Sequence, residues 1–327
     1  MKLSLIKAIS LTCCLALFSA CRGSVSAFRS KYDEGRSKIN AAISYINEEK
    51  YEQAITELNI IIEKRLPEEF QTRAYWYLGK CYKDMGKFDK ALSIYQVANQ
   101  LYPEYPPFMY ALGDLYYRAD MLDKAQTIFS SLLEIESDSF EGNVGLARTY
   151  DKQGFLSKAA QRYKTALDSI IVRDYALWRD YGDCLYRQKN YMEAESAVNK
   201  SISQSPNNAD SWLLLAKIQN NKGNLSEAYY SFEKACALAP KRNDIKLERA
   251  LWLISQNRLT VALDIAQSVL DASPEDALAV FTKAIALVRL GKNKEAAFYF
   301  QKLAGDEKNP FLAAVAERFI AENSNQR

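Results

Sequence analysis

The chain contains no histidine in 327 residues. That absence removes Ser-His and Cys-His nucleophile pairs, imidazole general bases and most zinc sites at once. No phosphate-cradling G-x4-G-K-[ST] loop occurs either. Glycine (12) and proline (8) are scarce, and no Gly/Ser-rich stretch or charge run separates domains. Charge of one sign is also missing. Lys and Arg total 43 against 40 Asp and Glu, and two of the surplus cations, Lys2 and Lys7, fall within the first twenty residues. A nucleic-acid binder carries a basic excess that this chain lacks. Past residue 20, no run is long and apolar enough to cross a bilayer as a helix.

What the chain has in abundance is an alanine column. Ala54, Ala91, Ala125, Ala159, Ala194, Ala228, Ala262 and Ala296 follow one another at 34 or 35 residues, apart from a first interval of 37. Twelve positions before each stands another small residue: Ala42, Gly79, Gly113, Ala147, Gly182, Ala216, Ala250 and Ala284. The stretch Thr72–Tyr105 shows why. Tyr75, Leu78, Gly79 and Tyr82 share one face of a first helix, Gly86 opens a turn, Ala91, Tyr95 and Ala98 share one face of a second, and Pro103 ends it. Small residues let two helix axes approach while the rings fill the flanks.

This pattern resembles the tetratricopeptide repeat, W-x2-L-G-x2-Y, A-x3-F and P at a period of about 34. Prolines at Pro103, Pro206, Pro240 and Pro274 close four units at the same offset. The expected fold is all-α, a right-handed α-solenoid of about eight helix-turn-helix units at 35–68, 72–105, 106–139, 140–173, 175–208, 209–242, 243–276 and 277–310. A capping helix over 311–322 (FLAAVAERFIAE) and a tail over 323–327 should follow.

The first twenty residues read as a signal peptide: Lys2 and Lys7, an apolar Ala8–Phe18, then Ser19-Ala20 as a cleavage site. Leu17-Phe18-Ser19-Ala20-Cys21 resembles the bacterial lipobox, with Phe18 where Leu is usual. The resemblance implies acylation at Cys21, with several chains holding the protein stably. An ordinary signal peptide beside a cysteine is the alternative. Arg22 stands where many inner-membrane lipoproteins carry Asp, so the resemblance implies an outer-membrane address facing the periplasm. Residues 21–34 are expected to form anchor and tether. Cys81, Cys184 and Cys236 lie on separate repeats and read as small packing residues rather than disulfide partners.

In such repeats the fifth, ninth and twelfth positions of each first helix line a concave groove. Here the middle units place Trp76, Lys80 and Lys83; Tyr110, Asp114 and Tyr117; Val144, Arg148 and Asp151; Arg179, Asp183 and Tyr186; then Leu213, Lys217 and Asn220. The ninth position alternates in sign from Lys80 to Lys217. That is either an ion ladder between repeats or, with the aromatics, a grip on an extended or helical segment of a protein partner. The chaperone-tail clamp is not expected, since the fifth position has no Lys and the ninth no Asn. In the last two units the same columns turn apolar, as Leu247, Leu251 and Ile254, then Phe281, Ile285 and Val288. Repeat one shows a similar stripe, Ile39, Ile43 and Ile46. Either the cap or a rotation of helices covers the C-terminal six, or they form an open seat for an amphipathic helix from a partner or a second copy.

The reading is therefore a non-catalytic, lipid-anchored scaffold for protein partners that assists an envelope assembly. It needs no cofactor or metal and binds no nucleic acid. A glycan-acting enzyme using groove carboxylates and a purely structural spacer are the alternatives.

Overall fold

The computed structural model describes residues 28–169 and 174–324. Within them the chain forms seventeen helices and no strand. The chain divides into two compact units, residues 1–171 and 172–327. The first unit holds α1 (28–47), α2 (Tyr51–Glu63), α3 (Glu68–Asp84), α4 (Phe88–Leu101), α5 (Pro106–Arg118), α6 (Leu122–Ile135), α7 (Phe140–Lys152) and α8 (Leu156–Ser169). The second holds α9 (Tyr175–Arg187), α10 (Tyr191–Gln204), α11 (Ala209–Asn221), α12 (Leu225–Leu238), α13 (Asn243–Ser255), α14 (Leu259–Ala272), α15 (Ala277–Arg289), α16 (Asn293–Leu303) and α17 (Pro310–Ser324). Within each unit a helix packs against the one before it and the one after it.

The two small-residue columns explain that packing. All eight alanines of the second-helix column are fully buried, as are Ala42, Ala147, Ala216, Ala250 and Ala284 of the first. Gly79, Gly113 and Gly182 complete the first column, and all three are buried. Large rings fill the space beside them, Tyr95, Phe108 and Phe129 in the first unit and Phe232 and Phe300 in the second. Burying apolar area between neighbours, rather than the propensity of each short helix, holds such helices.

Turns and caps are equally repetitive. At Gly86 φ is +72°, and the Gly86 and Lys87 N–H groups donate to the carbonyls of Lys83 and Tyr82 at 2.9 and 2.8 Å, which closes the C-terminus of α3. Glu49, Asp120, Lys189 and Asn257 hold the equivalent left-handed position in other units. Several first helices begin on a side-chain cap. Ser139 accepts from Gly142 N–H, Asn208 from Ser211 N–H and Asp276 from Ala279 N–H, while Asp174 accepts from Ala176 and Leu177.

One expectation needs correction at the N-terminal side. The tether expected over 21–34 does not persist through its second half, because 28–34 are the opening turns of α1. Tyr32 meets Phe70 edge-on at 5.0 Å, Gly35 lies against the same ring, and Lys64 reaches Glu34 at 2.5 Å. These contacts with Phe70 of α3 and with Lys64 at the end of α2 stabilise helix where a free linker would have none. At the other end α17 packs as a cap: Ala313 and Ala316 are buried, and Phe319 stacks on Phe300 at 4.4 Å. The expected signal peptide, Cys21 and residues 325–327 lie outside the described residues. No described helix is long and apolar enough to cross a membrane.

Candidate functional site

Along α3, Tyr75, Leu78 and Gly79 are buried, whereas Trp76, Lys80 and Lys83 stay partly exposed. The same division holds on α5, where Phe108, Leu112 and Leu115 are buried and Tyr110, Asp114 and Tyr117 are not. On α7, Leu146 and Ala147 are buried while Val144, Arg148 and Asp151 are partly exposed. The helical period therefore assigns the expected columns to a face that the core does not consume. Helices α5 and α7 are neighbours, so their stripes adjoin.

Part of the ninth column pairs within its own helix, and Lys217 pairs across to the next repeat. Asp114 takes Arg118 Nε of its own helix at 2.9 Å, and Lys80 makes no ion pair among the described residues. Lys83 makes none either, and the Trp76 indole N–H has no acceptor among them. Tyr117 lies under Lys152 Nζ at 5.2 Å, and Lys152 is held by Asp120 at 2.6 Å. Burial, and next to it Asp114, pushes the Tyr110 phenol above its ordinary value. Among the described residues the α3 stripe thus leaves two amines without an ion pair and one indole N–H without an acceptor, and α5 adds a protonated phenol.

In the second unit Arg179 bonds Asp180 at 2.8 Å, and Asp183 bonds Arg187 at 3.2 Å. Burial, and then the Asp180 charge, raises the Asp183 carboxyl. Tyr186 accepts from Asn221 Nδ2 at 3.1 Å, and Lys217 reaches Glu248 on α13 at 2.9 Å rather than Asp183. Arg118, Arg187, Asn221 and Glu248 are therefore working members of these stripes that the column reading missed. For the two arginines a signal existed, since Asp114–Arg118 and Asp183–Arg187 are both spaced i, i+4.

The apolar seat is narrower than expected. Leu247 and Ile254 are core residues, 1% and 5% exposed, and cannot receive a partner. Leu251, Phe281, Ile285 and Val288 are half-buried at the margins of two core clusters. The apolar residues of α13 are spread round the helix rather than confined to one stripe, so Ile245, Leu247, Leu253 and Ile254 are all taken inward. The cations between them leave on the other side: Arg249 bonds Glu233, and Lys283 bonds Gln267 while lying 4.5 Å over the Tyr299 ring. Cys81 and Cys184 are buried, as packing residues should be, and burial pushes the Cys81 thiol up to about 11. No cluster of three or more His, Cys, Asp or Glu able to hold a metal ion occurs among the described residues.

Two general tetratricopeptide-repeat families match, one at residues 82–141 and the other at residues 39–106 and 144–209, and the cytochrome c-type biogenesis protein H TPR domain matches residues 186–306. The chain belongs to the tetratricopeptide-repeat family. It is similar to the BBSome complex member BBS4 of Bos taurus, 21% identical over 229 residues, covering 70% of this chain and 44% of that protein. It is also similar to human protein O-mannosyl-transferase TMTC1, 26% identical over 182 residues, covering 53% of this chain and 20% of that protein. The chain thus spans less than half the length of these curated relatives. A tetratricopeptide-repeat protein from Parabacteroides merdae shares the fold, with a TM-score of 0.62 at 18% identity, covering 75% of this chain and 98% of that one. A repeat scaffold of this kind fits a role in protein interaction.

Proposed function

We propose that this tetratricopeptide-repeat chain is a non-catalytic, lipid-anchored scaffold at the periplasmic face of the outer membrane. It holds a protein partner against the exposed stripes of its first helices and assists assembly of an envelope complex. The observation that carries the binding half is the state of the α3 stripe. Among the described residues Lys80 and Lys83 make no ion pair and the Trp76 indole has no acceptor, whereas Asp114, Asp183 and Lys217 on equivalent columns are already paired. Unpaired donors beside rigid rings are the groups that gain most from a partner's acceptors and apolar side chains. The envelope half is supported by Leu17-Phe18-Ser19-Ala20-Cys21 after a short apolar run.

Two measurements test the halves separately. A photo-cross-linking residue at Tyr110 or Trp76 in cells should capture a discrete protein band that Lys80→Glu with Lys83→Glu removes. A band that persists in that double variant places recognition elsewhere. Intact mass of the membrane-extracted protein should show Cys21 as an acylated N-terminus, and an unmodified terminus ends the anchor.

A further inference from the structure

We propose that a cleft at the joint between the second and third repeats, outside the columns discussed above, docks a basic segment of a partner protein. A lysine or arginine stem would lie along Leu101 and Tyr105, with its charged head among Glu68, Glu69 and Glu104. The cavity measures about 610 Å³ and is bounded by the first turn of α3 and the loop 101–105.

Its wall is apolar and already set. Leu101 and Tyr105 are 55% and 37% exposed although the loop around them is held firmly. Tyr105 and Tyr102 pack on the buried Phe108 ring at 4.8 and 6.0 Å. Pro103 before Tyr105 and Pro106 and Pro107 after it fix three φ angles within five residues. A ligand meeting this wall orders little that is not already ordered.

The rim decides the occupant. Glu68, Glu69 and Glu104 are exposed, and none has an ion pair among the described residues. They are not gathered tightly enough to hold a metal ion. Three separated, uncompensated carboxylates around an aromatic and proline wall match a long cation with an apolar stem. Such a side chain places its methylenes on the wall, its charge near a ring face and its N–H donors on the carboxylates.

The test uses the full chain and a fluorescein-labelled peptide, Gly-Ser-Arg-Leu-Arg-Ser-Gly, read by anisotropy. Its twin carries citrulline in place of both arginines, which keeps the shape and removes the charge. The arginine peptide should bind saturably and the citrulline peptide should not. Glu68→Gln with Glu104→Gln should weaken binding by about tenfold, and Tyr105→Ala by a similar factor. The control Glu227→Gln, an exposed acid on α12, should leave it unchanged. Circular dichroism of each variant must match the parent, and Tyr105→Phe, which keeps the ring, should bind as the parent does. Equal binding of the two peptides, no saturable binding, or unchanged binding by the double variant overturns the proposal. So does concentration-dependent self-association that the same double variant abolishes, which would assign the cleft to a second copy.

Discussion

The Tyr95 ring stands directly over Gly79, and its hydroxyl donates to the Trp76 carbonyl at 3.1 Å. A Cβ built at Gly79 would lie 2.2 Å from Cζ of that ring. The ring cannot slide aside without losing its hydrogen bond and its packing on Phe108. Gly79→Ala should therefore destabilise the first unit by about 1–3 kcal/mol through overpacking. Urea unfolding followed by tyrosine and tryptophan fluorescence checks it.

Lys189 offers a gain at the equivalent of Gly86. Its φ is +63°, and its N–H and that of Asn190 donate to the carbonyls of Tyr186 and Leu185, so the left-handed turn is fixed by hydrogen bonds. Side chains are disfavoured there, and glycine is not. Lys189→Gly should stabilise the second unit by about 0.5–1 kcal/mol after its larger unfolded-state entropy is subtracted. The opposite change at an equivalent turn, Gly223→Ala at φ +84°, should lower the urea midpoint.

Asp183 gives a pH signature. Burial raises its folded carboxyl above the ordinary carboxylate value. A raised folded value means that the ionised form is the disfavoured one, so its cost is present at neutral pH. That cost fades as the pH falls through the folded value, and it is gone once both states are protonated. The stability of the parent relative to Asp183→Asn should therefore rise as the pH falls from 7 and level off below about pH 3.5. Thermal scans across that range read it directly.

The fold was legible because two small-residue columns twelve positions apart report helix–helix contact more directly than any helix propensity. Ala54 and Ala42, or Gly79 and Ala91, have no reason to recur unless two axes must meet there. The site was legible only as far as a column gives an azimuth. Trp76 and Tyr110 lie on the expected exposed face, but the column could not show that Asp114 is neutralised by Arg118 one turn on. Nor could it show that Lys217 reaches Glu248 on the next first helix, because that pairing depends on side-chain reach between helices. The first turns of α1 were hidden for a similar reason. Residues 28–34 carry no repeat signature and are helical through Tyr32 and Glu34 meeting Phe70 and Lys64.

Leu247 and Leu251 separate core from surface on a helix where hydropathy alone does not. Both are leucines of α13 one turn apart, yet Leu247 is 1% exposed inside a cluster with Val269, Val280 and Leu287, while Leu251 is only partly buried. Leu247→Ala leaves a cavity that close-packed neighbours on two helices cannot fill, and should cost about 2–5 kcal/mol. Leu251→Ala removes area that water already reaches in part, so its cost should fall to about half of that. Amide hydrogen exchange across α13 to α16 measures both, with protection lost first in the Leu247 variant. Equal loss in the two would mean that Leu251 belongs to the core as fully as Leu247. Full protection in both would place the support of these repeats in α17, through Phe319 against Phe300.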